Sequence, residues 1–290
     1  MSAGLPTSRR TNSPNNRQGP NDMATRGEAR FGTLRRSRRV WAVGAIHGEA
    51  TLLTNLHTQL AGLFEAGDRV VYLGNILGVG DAVAATVDEL LVFRRQILAV
   101  PGSHACDIMF LRGSQEEMWH KLLQIHLAIN PAEVISWVGE QGVEATLKAY
   151  GGSLQEGLNR ARGGARDLAR WTTELRDAVA NRPGHREFMS ALKRAAFTDD
   201  GALLFVHAGI DPTLPIDAQK DAFWWGSAGF DGMTKPFAGF RKIVRGYAPG
   251  HPGIDIRPHS ISVDGGAGTG GSLMAACIDM AGDVVARIEA

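Results

Sequence analysis

Apolar positions recur along this chain in two rhythms. Between Arg39 and Val43 they form a short unbroken run, Val-Trp-Ala-Val, that stops at Gly44. That texture predicts a buried strand. From Glu49 to Phe64 the period lengthens, with Leu52, Leu53, Leu56, Leu60 and Leu63 at helical spacing. Arg69–Leu73 is a second β-branched run ending at Gly74. A helix is predicted over Ala82–Leu98, then a third strand over Asp107–Leu111 that runs into Gly113. Each of these strands delivers the chain to a glycine loop at its C-terminal end, where α/β proteins place their chemistry. The middle is helical and polar, over 115–128, 131–150, 155–180 and 184–195. Strands return at Leu203–His207, Lys242–Arg245, Ile261–Asp264, Leu273–Asp279 and Val284–Ile288. The short gaps between these last strands predict antiparallel pairing. The expectation is one α/β domain with mixed sheets over 40–290.

Composition narrows the class. With 44% apolar and 21% charged residues, the chain has the make-up of a globular protein. No stretch approaches the roughly 18 uninterrupted apolar residues of a membrane span. Cys106 and Cys277 lie far apart, which suits neither a disulfide scaffold nor a cysteine-based zinc site and predicts a reducing, cytoplasmic setting. The net charge of +1 is unevenly spread: residues 1–39 hold nine arginines against Asp22 and Glu28, a balance of +7, leaving −6 on the rest. Poor in apolar residues, segment 1–39 is expected to be a disordered basic arm. A solubilising tail, a late start at Met23, a transit peptide, or a contact with nucleic acid or anionic lipid through residues 9–39 all remain open for it.

The loops carry the chemistry. They read Gly44-Ala45-Ile46-His47-Gly48, Gly74-Asn75-Ile76-Leu77-Gly78-Val79-Gly80, Arg112-Gly113-Ser114-Gln115-Glu116, His207-Ala208-Gly209 and Gly246-Tyr247-Ala248-Pro249. In order and spacing this series resembles the calcineurin-like metallophosphoesterases, in the bacterial branch of serine/threonine protein phosphatases and diadenosine tetraphosphate hydrolases. That family shows GDxHG, GDxxDRG, RGNHE, HAG and GHTP. The resemblance covers nearly all of 40–290 and implies a four-layer α-β-β-α sandwich of two mixed sheets. It also implies two divalent ions, roughly 3.5–4 Å apart, that clamp phosphate and activate water.

Carried over position by position, the implied ligands are mostly missing. The first aspartate falls on Ala45 and the bridging aspartate on Asn75. The asparagine falls on Ser114 and the last histidine on Tyr247. Only His47 and His207 keep their identity. The general-acid histidine becomes Gln115, its partner aspartate Gly78, and the two phosphate-binding arginines Val79 and Gly226. Two dications bring a charge of +4. Without the carboxylates, that charge costs several kcal/mol per ion in a semi-buried pocket.

The resulting expectation is a pseudophosphatase with no catalytic residue and no cofactor, binding or scaffolding a protein partner such as a phosphoprotein. A residual phosphoesterase with one weakly held Mn, Fe or Zn ion stands as the alternative, with Glu49, Asp81 or His251 as substitute ligands. A nucleic-acid or membrane tether through the arginine segment is the third. Against substitution, Asp81 is expected to cap its helix. His47 and His207 are as readily explained as hydrogen-bonded core histidines. Gly265–Gly271 lacks the Gly-Lys-Ser/Thr ending of a phosphate loop and is expected to be a turn between strands.

Overall fold

The computed structural model describes residues 30–290. Two mixed sheets lie face to face. The first contains β2 (Arg39–Val43), β3 (Asp68–Tyr72) and β4 (Ile108–Phe110), all parallel, and is extended on the β2 side by antiparallel β10 (Met274–Asp279) and β11 (Val284–Glu289). The second runs in the order β1 (Phe31–Leu34), β5 (Ala195–Thr198), β6 (Leu203–Val206), β7 (Lys242–Arg245), β9 (Ser260–Asp264) and β8 (Gly253–Ile256).

The period of two along each strand decides which core a residue joins. Val40, Ala42, Val71 and Leu73 face the second sheet, where they meet Phe205, Val244 and Val263. Trp41, Val43, Val70 and Tyr72 face the helices instead. Leu204 and Val206 of β6 turn to a third cluster, with Phe223, Phe230 and Phe240, on the outer side of the second sheet.

The helical layer over the first sheet contains α1 (Ala50–Leu63), α2 (Val83–Ala99), α3 (Ser114–Leu122), α4 (Pro131–Val138), α5 (Glu144–Ala149), α6 (Leu154–Arg162), α7 (Ala165–Ala180) and α8 (His185–Ala191). Two buried relays fasten α2 to its neighbours. Glu89 accepts from His57 Nδ1 at 2.6 Å, and His57 Nε2 accepts from the Tyr72 hydroxyl at 2.7 Å. On the adjacent residue, Asp88 accepts from His185 Nε2 at 2.9 Å, and His185 Nδ1 accepts from Tyr150 at 2.8 Å. Both ring nitrogens of each imidazole have a hydrogen-bond partner.

Several expectations need correction. The basic arm does not extend to residue 39: Phe31–Leu34 is a strand paired in parallel with β5, Leu34 is fully buried, and Arg38 and Arg39 bond Glu65 and Asp68. Two apolar positions, Phe31 and Leu34, sufficed because a ready-made sheet edge supplied the rest. The remainder of the expected arm, 1–29, lies outside the described residues. β6, β7 and β9 are parallel, not antiparallel, because segment 207–241 carries the chain back between β6 and β7, and β8, antiparallel to β9 at the sheet edge, carries it back between β7 and β9. The helix expected over 155–180 breaks at Gly163 and Gly164, and 131–150 is interrupted by a wide turn over 139–143. Asp81 does not cap α2; Ala82 occupies that position, with no side-chain bond.

Candidate functional site

Every glycine-loop motif opens at the same edge of the two sheets. Ala45 N–H donates to Gly246 O at 3.0 Å, His47 N–H to Asn75 O at 2.7 Å, and Tyr247 N–H to His207 O at 3.0 Å. These backbone bonds stitch the ends of β2, β3, β6 and β7 into one floor. Gly74 is pinned there, since a Cβ on it would lie 2.6 Å from Gly113 N, and its φ is +91°.

Glu116 organises the floor from below. Its two oxygens accept four backbone N–H groups, from Ile76 (2.7 Å), Leu77 (2.8 Å), Asn75 (2.9 Å) and Gly113 (2.7 Å). Burial pushes its carboxyl up from the ordinary value, and the four donors pull it back. With two donors on each oxygen no lone pair is left for a proton, so the geometry calls for the carboxylate.

Above it sits Asn75, where the resemblance implies a bridging carboxylate. Its Oδ1 accepts from Ser114 Oγ and from Gln115 N–H, each at 3.0 Å, and this fixes the amide orientation. Nδ2 then faces His47 Nε2 at 3.4 Å. His47 Nε2 is therefore the acceptor and Nδ1 bears the proton, without a partner. His207 donates from Nδ1 to Leu73 O at 2.8 Å, so its Nε2 is a buried lone pair without a partner. Tyr247 stacks on the His207 ring, with centroids 5.6 Å apart, and meets His47 and His251 edge-on at 6.5 and 5.8 Å. Burial holds His47 down to about 4 and His207 down to about 3, so both are neutral at pH 7.

The remaining expected residues lie round this floor. Gln115 turns its amide N–H to Gln141 O at 2.6 Å and leaves Oε1 unpartnered, against Gly78. His251 bonds Asp264 at 2.9 Å. Glu49 packs beside Gly80, and Asp81 is exposed on the same loop. Gly265–Gly271 is the turn joining β9 to β10, tied by the Gly271 N–H to Gly266 O bond.

Sequence reasoning missed two features. Asp264, at the end of β9, is 2% exposed and accepts from Ala248 N–H and Gly266 N–H as well as His251; a carboxylate closing an apolar strand was the available signal. Trp137 and Trp225 meet at the cleft mouth with centroids 6.1 Å apart, and nothing in sequence pairs two positions so far apart.

The residues present do not fit a pair of metal ions. Hard cations want carboxylate oxygens, and the positions where the resemblance implies metal ligands offer Ala45, a neutral amide already satisfied, and imidazoles. His47 cannot ligate through Nδ1 in its present tautomer. Among the described residues no three His, Cys, Asp or Glu side chains converge as a metal would require.

Architecture identifies the family of folds where the side chains do not. A crystal structure of a protein provisionally assigned as a diadenosine tetraphosphatase superposes with a TM-score of 0.54 at 18% identity, over 90% of this chain and 98% of that one. The chain has the metallophosphoesterase fold. A mutant cold-active protein tyrosine phosphatase (TM-score 0.49, 13% identity, 91% of this chain and 84% of that one) is also similar. So is a protein serine/threonine phosphatase from Saccharomyces cerevisiae (0.45, 14%, 85% and 76%). No protein-family model and no curated protein matches the sequence. Among the described residues no helix is long and apolar enough to cross a membrane.

Proposed function

We propose that this protein is a pseudophosphatase: a metallophosphoesterase fold that binds a partner through its cleft and does not hydrolyse phosphate esters. The observation that carries the proposal is Asn75. A carboxylate there would bridge two ions; the amide instead spends Oδ1 on Ser114 and Gln115 and Nδ2 on His47. Two dications held by imidazoles and this amide would keep most of their +4 uncompensated, at several kcal/mol per ion. Gln115 in the general-acid position has no proton to transfer near neutral pH.

The test is metal content beside activity. Protein purified with manganese supplied is expected to hold less than one transition-metal ion per chain after dialysis and to leave p-nitrophenyl phosphate intact. Stoichiometric manganese, iron or zinc together with turnover would overturn the proposal in favour of a residual phosphoesterase. The tether reading has less support. Arg38 and Arg39 are already engaged by Glu65 and Asp68, and binding lost steeply with salt and abolished by removing residues 1–29 would be needed to establish it.

A further inference from the structure

The cleft is lined by segments of negative charge. The segments that meet there are 44–49, 74–81, 113–115, 139–143, 207–210, 224–227, 246–251 and 264–271. They contain no lysine or arginine and four carboxylates, Glu49, Asp81, Glu140 and Asp264. The arginines next along the chain are engaged elsewhere: Arg112 pairs with Glu117 at 3.2 Å and Arg245 with Asp231 at 2.7 Å. Residues 40–290 as a whole carry a negative balance. A phosphate dianion entering this cleft would meet repulsion and no counter-charge.

Two further observations point to what the cleft accepts. At its mouth the Trp137 and Trp225 indoles lie side by side, their planes tilted by 59° and each 45% exposed. Trp137 lies in the last turn of α4, just before the 139–143 turn, whose Gln141 and Gly142 carbonyls hold Gln115 and Val79. Trp225 precedes Gly226, which packs on Ala208 beside His207. At the floor two buried acceptors lack donors, His207 Nε2 and Gln115 Oε1. Indole faces attract cations; unpartnered acceptors want N–H groups; carboxylates want positive charge. A guanidinium answers the indoles and the carboxylates.

We infer that this cleft docks an arginine-bearing peptide segment of a partner protein, with a guanidinium held by the Trp137 and Trp225 indoles and Glu140 and Asp81 as counter-charges. The inference rests on the non-catalytic reading in one respect: a bound pair of dications would reverse the charge of the cleft.

The test is fluorescence anisotropy of the full chain, in buffer containing a chelator, with three labelled Gly/Ser peptides that carry arginine, glutamine or phosphoserine at the same positions. The arginine peptide is expected to bind, and to weaken as salt shortens the Debye length below about 8 Å. Trp137→Ala and Trp225→Ala should each loosen it about fivefold, and Glu140→Gln should loosen it without altering the melting temperature. Equal binding of the glutamine peptide, tighter binding of the phosphoserine peptide, or unchanged affinity in both tryptophan variants would overturn the inference. Binding seen only after deletion of residues 1–29 would assign the cleft to the chain's own arginines and overturn the partner assignment. The two readings fail separately. Phosphatase activity with intact peptide binding sinks the pseudophosphatase alone, and an inert protein that ignores the arginine peptide sinks the docking site alone.

Discussion

Replacing Glu116 by glutamine changes one oxygen to an amide and leaves the shape of the side chain intact. The cost can be worked out bond by bond. The glutamine oxygen can still accept from two backbone N–H groups, as Oε1 now does from Ile76 and Leu77. The new NH₂ then faces the N–H groups of Asn75 and Gly113, donor against donor, where bonds of 2.9 and 2.7 Å stood. Each buried donor left without an acceptor costs about 1–3 kcal/mol, so Glu116→Gln should lower stability by about 2–6 kcal/mol. Glu116→Ala strands all four donors and should cost more. Urea unfolding followed by far-UV circular dichroism reads the difference. Hydrogen exchange adds a local check: the amides of residues 75–77 and 113 should lose protection before the rest of the fold. A Glu116→Gln variant within about 1 kcal/mol of the parent would refute the idea that one carboxylate organises the cleft floor.

Three other outcomes follow from the same geometry. Unfolded histidine takes a proton below about pH 6.5, while folded His47 and His207 resist it to about 4 and about 3; acid therefore favours the unfolded chain. Stability held above pH 6.5 should fall by about 1.4 kcal/mol per pH unit for each of the two as pH drops towards 4, and His47→Asn should flatten that slope by one proton in urea titrations. Val79 is a β-branched residue with a φ of +58°, a strain of about 1–3 kcal/mol; Val79→Asn, which tolerates that region, should raise the melting temperature, and no rise would show that packing compensates the strain. Introducing the aspartate and histidine that the resemblance implies at 78 and 115 should be cooperative, because a Cβ on Gly78 would lie 2.1 Å from Gln115 Oε1. Gly78→Asp alone should be markedly destabilising, and a double-mutant cycle with Gln115→His should show a coupling of about 1 kcal/mol or more; additivity would refute the contact.

The sequence by itself determined the layered α/β architecture and the order of the motifs. Apolar runs such as Val40–Val43 and Leu203–Val206 can hide both faces only between layers, and a glycine closes each turn towards the site. It also determined that Ala45 and Gly78, where the resemblance implies aspartates, cannot supply a carboxylate in any conformation. Tertiary structure alone decided how the polar groups of these loops are joined. The orientation of the Asn75 amide, and with it the tautomer of His47, depends on Gln115 N–H arriving from another strand end. The role of Glu116 depends on four amides from two loops converging on one carboxylate. Phe31–Leu34 became a strand because β5 offered an open edge, a partner more than 150 residues away along the chain. The Trp137–Trp225 pair exists only because a helix end and a loop meet across the cleft. Local periodicity reports which face of an element is buried; it is silent on which polar groups distant elements bring within a hydrogen bond of one another.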